Sequence, residues 1–185
     1  METYLLDTNV ISDVSAARGK DDSPCVARLK SAAEKGARIL LPVVSIAEIE
    51  FGLQLGGKPD SEQAQAIRCF FKEYIHIPFG DDTVEPYALI RARLFQNHGT
   101  PKGTRKSRRE KRPEELKDRV SGRELGIDER DLLIASAAVQ FNCVLVTDDT
   151  NEGMRHIREA ADTLLAEGKP TRLRVENWRQ TPDGA

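Results

Sequence analysis

Apolar and polar positions along the chain fall into two periods. Short unbroken apolar runs bounded by turn residues read as buried strands, and three- and four-residue spacings read as helices. Thr3-Tyr4-Leu5-Leu6 predicts a strand, followed by a short helix from about Val10, a helix near 24–35 and a strand near 38–41 that Pro42 ends. A helix over about 45–55 stops at Gly56-Gly57-Lys58-Pro59, another spans 61–74, and Ile75 to Pro78 is a short extended piece. Helices at 82–97 and 129–141, a strand at 143–146, a helix at 152–167 and a strand at 171–175 complete the pattern, with Trp178 expected as a core anchor. Strands alternating with helices predict an α/β fold with a mostly parallel sheet.

Between Gly99 and about Gly126 the pattern breaks, with Pro101, Gly103, Pro113 and Gly122 amid a dense run of charge. This stretch reads as an insertion within a single domain covering 1–185, a length suited to one sizeable core. Hydrophobic residues at 39% and charged ones at 31% fit a soluble globular protein. No run reaches membrane-spanning length and no signal peptide is apparent, so the expectation is a cytoplasmic protein without a membrane partner. Cys25, Cys69 and Cys143 are odd in number and far apart, and His76, His98 and His156 form no metal-binding spacing. Disulfide frameworks and histidine or thiolate zinc sites are therefore not supported.

The chemistry lies in acids at unexpected places. Both strand runs 3–6 and 143–146 end in acids, Asp7 and the pair Asp148 and Asp149, and the carboxyl edge of an open α/β sheet is where ligands bind. Projected at about 100° per residue, Glu48 falls opposite Glu50 and Gln54 and is expected to point inward. Asp131 is likewise expected inward, opposite Ser136 and Gln140. Each acid has a plain alternative: Ser45-x-x-Glu48 fits a capping box, and Asp7, Asp131 and Asp149 sit where helix caps or first-turn acids occur. Together, partly buried acids without neighbouring bases would repel one another unless a cation sits among them. Mg²⁺ or Mn²⁺ suits such oxygen-only ligands.

Four ordered motifs carry a family resemblance. Leu5-Leu6-Asp7-Thr8-Asn9-Val10-Ile11-Ser12, Ser45-Ile46-Ala47-Glu48-Ile49, Asp131-Leu132-Leu133-Ile134-Ala135 and Val144-Leu145-Val146-Thr147-Asp148-Asp149 resemble the PIN-domain ribonucleases, above all the VapC-like toxins of type II toxin-antitoxin modules. The ending Val175-Glu176-Asn177-Trp178 also looks like that branch. The resemblance implies a PIN-like α/β/α sandwich, metal-dependent cleavage of RNA phosphodiesters, a homodimer and a cognate antitoxin. By position, Asp7, Glu48 and Asp131 match the acidic ligands, and Asn9 and Thr147 match polar residues that order the site. Of the two acids after Thr147, Asp149 is favoured and Asp148 stays open.

Net charge is only −2, but residues 102–123 carry a local +6. Lys102, Arg105, Lys106, Arg108, Arg109, Lys111 and Arg112 crowd this stretch and suit RNA phosphates, with a solvated loop as the alternative. No aromatic lies between residues 96 and 140, so stacking by this loop is not expected. Gly52 to Lys58 imitates a phosphate-binding loop, but Pro59 follows where Ser or Thr is needed, and a helix end explains it. Two rival functions are a phosphotransfer or phosphohydrolase domain with Asp7 as nucleophile and a non-catalytic nucleic-acid-binding module.

Overall fold

Five short parallel strands form one sheet in the order β3-β2-β1-β4-β5, in a computed structural model that describes residues 1–16, 23–100, 110–148 and 152–180. The strands are β1 (Thr3–Leu6), β2 (Arg38–Pro42), β3 (Ile75–Ile77), β4 (Val144–Val146) and β5 (Arg174–Glu176). Between them run α1 (Thr8–Ala16), α2 (Pro24–Glu34), α3 (Val43–Leu55), α4 (Glu62–Phe71), α5 (Asp81–His98), α6 (Glu129–Gln140) and α7 (Glu152–Ala166). The mostly parallel sheet expected from the alternation is parallel throughout. Leu5 and Leu6, consecutive on β1, are both fully buried, in keeping with the unbroken apolar runs of parallel strands.

The chain divides into two compact units. The first comprises Met1–Phe79, Asn142–Asp149 and Arg174–Ala185, and holds the whole sheet with α1 to α4. Its core gathers Leu6, Val10, Ile11, Leu41, Phe70 and Trp178. Trp178 is 2% exposed and meets Tyr4 edge-on with ring centroids 5.1 Å apart, so the expected anchor is in place. Here β1 lies between β2 and β4, and the chain leaves these two inner strands in opposite directions across the sheet. That reversal is a switch point, and in open α/β sheets ligands bind at the strands' carboxyl ends beside such a point.

The second unit comprises Gly80–Phe141 and Thr150–Leu173, in which α5 packs on both α6 and α7. Half of the stretch expected to be an inserted loop is folded into it. After a 3₁₀ turn at Pro113–Glu115, Leu116 and Leu125 are buried, and Lys117 and Glu124 form an antiparallel bridge. Thr100 donates its backbone N–H and its hydroxyl to the two carboxylate oxygens of Glu110, at 3.0 and 2.6 Å, which closes the neck of the insertion. Residues 101–109, with Lys102, Arg105, Lys106, Arg108 and Arg109, lie outside the described residues; Lys111 and Arg112 are exposed.

Among the described residues no helix is long and apolar enough to cross a membrane. Cys25, Cys69 and Cys143 form no disulfide among the described residues; Cys25 and Cys143 are buried and Cys69 is exposed. Burial pushes the Cys143 thiol up to about 11 and, with Asp13 beside it, raises that of Cys25 as well. Cys69 alone should therefore react with a disulfide reagent at pH 8 in the native protein, and all three after unfolding; a fast second equivalent in the native state would contradict this packing.

Gly153 in the first turn of α7 sets a further constraint. A Cβ there would come within 2.1 Å of the Gly126 carbonyl oxygen. Gly153→Ala should lower stability by about 1–3 kcal/mol through this clash, although alanine is about 1 kcal/mol the better helix former, as measured by urea unfolding.

Candidate active site

At the switch point the ladder between β1 and β4 continues one residue past β1, where the Asp7 N–H donates to the Val146 carbonyl at 2.9 Å. This fixes Asp7 beside Thr147, as the carboxyl ends of two adjacent strands require. Asp7 is 5% exposed. One oxygen accepts the Thr8 N–H at 2.7 Å and the other accepts the Thr147 hydroxyl at 2.7 Å. Thr147 in turn accepts from the Asn9 amide at 3.2 Å. The Asp7 carbonyl also takes the first hydrogen bond of α1, from Ile11 at 2.9 Å. The acid therefore starts the helix, as its plain alternative requires, yet one carboxylate oxygen is committed across the sheet to β4.

Glu48 belongs to the same network, and its capping role falls away. Helix α3 begins at Val43 with Pro42 as its N-cap, two residues earlier than the sequence suggests, so Ser45 lies inside the first turn and no box forms. The Ser45 hydroxyl is instead buried with no partner among the described residues. Glu48 accepts the Thr8 hydroxyl at 2.6 Å. Asp7 and Glu48 thus grip one residue, Thr8, through its backbone and its side chain. The helical projection put Glu48 on the correct side for the wrong reason. Its neighbours Ala47, Phe51 and Leu55 are exposed, Phe51 at 67% and Leu55 at 75%, and Glu50 is held by the Arg68 guanidinium, which keeps it low at about 2.

Asp131 is half-buried in the first turn of α6, in the second unit. The cap of that helix is Asp128, which accepts the Arg130 N–H at 2.8 Å. Ser136, expected on the wet face, is fully buried with its hydroxyl on the Leu132 carbonyl at 2.6 Å, because α6 is buried nearly all round and has no single wet face to project from. Asp149 lies outside the described residues. Asp148 does not stand bare: Arg179, from the turn after β5, donates through Nη1 to its Oδ2 and through Nε to Asp13 Oδ2 at 2.6 Å.

Thr8, Asp13 and Arg179 were not singled out from the sequence. Thr8 adjoins Asp7 and Asp13 follows Asn9 by one helical turn, so both carried a local signal. Arg179 carried none, since its partners lie far away along the chain.

Among the described residues no three acidic, histidine or cysteine side chains gather closely enough to hold a metal ion. The donors that do meet are all oxygens, and the Asn9 Oδ1 is buried with no hydrogen-bond partner among the described residues. Such a donor set fits a hard cation in preference to zinc.

A protein-family model described as PIN domain matches residues 4–160. No curated protein matches the chain. In a solved structure, VapBC2 from Rickettsia felis bound to a DNA fragment from their promoter, the similar chain is 23% identical with a TM-score of 0.61, over 95% of this chain and 98% of that one. VapBC-1 from nontypeable Haemophilus influenzae is similar at 18% identity and a TM-score of 0.61, over 96% and 99%. FitAcB from Neisseria gonorrhoeae gives 23% and 0.58, over 96% and 99%. At these identities the structures speak for the fold, and the PIN-like α/β class expected from the four motifs is borne out.

Thr147→Val would leave the buried Asp7 oxygen and the Asn9 amide without their shared hydroxyl. Stability should fall by about 1–3 kcal/mol, and Thr147→Ser should recover most of it in denaturant unfolding.

Proposed function

The chain belongs to the PIN domain family, and on that premise we propose that it is a divalent-metal-dependent endoribonuclease, the toxin of a toxin-antitoxin pair. The observation that carries this reading is the nearly buried Asp7 carboxylate, tied to Thr147 at the switch point, with Glu48 tied to the adjacent Thr8. Asp7 and Glu48 would hold the metal, Mg²⁺ or Mn²⁺. Asp131 joins them on its motif alone, as does the acid after Thr147, whether Asp149 or Asp148. A bound cation of this kind lowers the pKa of a water and stabilises the leaving oxygen of a phosphodiester.

The chain's own residues supply order. Thr147 fixes the rotamer of Asp7, Asn9 fixes Thr147, and Thr8 couples Glu48 to the start of α1. Hydrolysis adds a water oxygen to phosphorus and breaks one P–O bond, the leaving oxygen taking up a proton. Both oxygens of Asp7 accept hydrogen bonds, a state suited to holding a cation and poorly suited to nucleophilic attack.

Lys102, Arg105, Lys106, Arg108, Arg109, Lys111 and Arg112 contact RNA phosphates in this reading. It is supported by their density in sequence and by the exposure of the two that are described. A cognate antitoxin is the expected protein partner, supported by the VapBC and FitAcB assemblies of similar fold, and a homodimer is the expected state.

Asp7→Asn should reduce cleavage of a fluorescent RNA by at least about 100-fold at saturating Mg²⁺, in the range of losing one electrostatic catalytic contact; a variant as fast as wild type would end this reading. Mn²⁺ should raise the thermal midpoint of the wild type by mass action, and a midpoint indifferent to metal would favour the non-catalytic module. Removing residues 102–109, which keeps Glu110, should weaken RNA binding at low salt and flatten its salt dependence; unchanged affinity would leave that stretch a solvated loop.

A further inference from the structure

Arg179 occupies a built mount. Its backbone N–H donates to the Asn177 side chain at 2.9 Å, and the preceding Trp178 is buried, with its indole N–H on Glu176 at 3.1 Å. The Glu176 carbonyl receives the Thr147 N–H at 3.0 Å, so β5 and the end of β4 are joined just below the arginine. From this mount the guanidinium spans Asp13 on α1 and Asp148 at the end of β4. Its side chain stays 47% exposed, whereas that of Asp148 is 15% exposed.

Stability alone is a weak reason for this arrangement, since an exposed ion pair contributes about 0–1 kcal/mol. Charge gives a stronger one. Asp7, Glu48, Asp13 and Asp148 make this edge of the first unit acidic, and an acidic edge repels the phosphodiester that a nuclease must receive. A guanidinium is permanently charged and its planar fork matches phosphate oxygens. Arg179 takes one of the two Asp148 carboxylate oxygens, and Asp148 is not gathered with two other acidic, histidine or cysteine side chains among the described residues.

We infer that Arg179 is a phosphate-binding residue for the RNA, that Asp13 and Asp148 are positioning residues holding it, and that Asp148 is not a metal ligand. The identity of the ligand rests on the nuclease reading above; the binding role does not require cleavage.

The test uses the full-length protein, a fluorescent single-stranded RNA in EDTA at low salt, and separately Mn²⁺ titrated by thermal shift. Arg179→Ala should weaken RNA binding about tenfold or more, the size of a lost charge-assisted hydrogen bond, with Mn²⁺ affinity within about twofold of wild type. Arg179→Lys should recover part of the loss. Asp148→Asn should also weaken RNA binding without moving Mn²⁺ affinity, and adding it to Arg179→Ala should cost nothing further, as expected of groups acting as one device.

Unchanged RNA affinity in Arg179→Ala would overturn the phosphate role. A large loss of Mn²⁺ affinity in Asp148→Asn would return Asp148 to the metal ligands, and a gain in Arg179→Ala would make the arginine a competitor of the metal. A wild type that binds RNA through Arg179 yet cuts none would sink the nuclease reading alone. Cleavage indifferent to Arg179→Ala in both KM and kcat would sink this one alone.

Discussion

The parallel pairing of β1 with β4 is the constraint on which the site rests. Its register aligns Leu6 with Val146, and the next hydrogen bond, from the Asp7 N–H, holds the acid in place before any side chain acts. Because β1 and β4 are far apart in sequence, only the assembled sheet can make this junction. The cost of closing so long a connection is met by apolar burial on Leu5, Leu6, Leu145 and Val146, all fully buried. Chemistry at this edge is therefore tied to folding: the side chains that order Asp7 cannot meet until the sheet exists.

Buried or half-buried carboxylates must be compensated, and this edge does so in two ways. Asp7 and Glu48 take hydroxyl and backbone N–H donors, which are neutral. Asp148 takes a guanidinium. Neutral donors leave the negative charge in place for an incoming cation; a guanidinium cancels much of it. Asp7 and Asp148 are thus electrically different although they follow adjacent strands.

Much of this was legible in the sequence, and the misses share physical causes. Strand positions, the Trp178 anchor and the Asp7, Thr147 and Asn9 grouping follow from patterning and motif, because each depends on local order plus one strand pairing. Glu48 is held by Thr8 although Phe51 and Leu55, grouped with it by the projection, are exposed, so apolar side chains do not mark the buried side of α3. Ser136 looked wet because serine is polar, yet its hydroxyl is satisfied within its own helix and can be buried. The insertion read as a loop because its charges mask two leucines, Leu116 and Leu125, spaced too far apart to show a period. Arg179 was invisible because a salt bridge between distant segments leaves no periodic trace.

The Thr100 and Glu110 pair has a consequence for how this protein tolerates change. A two-point clasp between Thr100 and Glu110 ties the end of α5 to the segment leading into the Pro113 turn. The entropy of closing a segment grows only with the logarithm of its length. Residues could be added or removed beyond the clasp with little thermodynamic effect on the helical unit. That makes this segment a natural place for lineage-specific variation, or for grafting a reporter, provided the threonine and the glutamate remain.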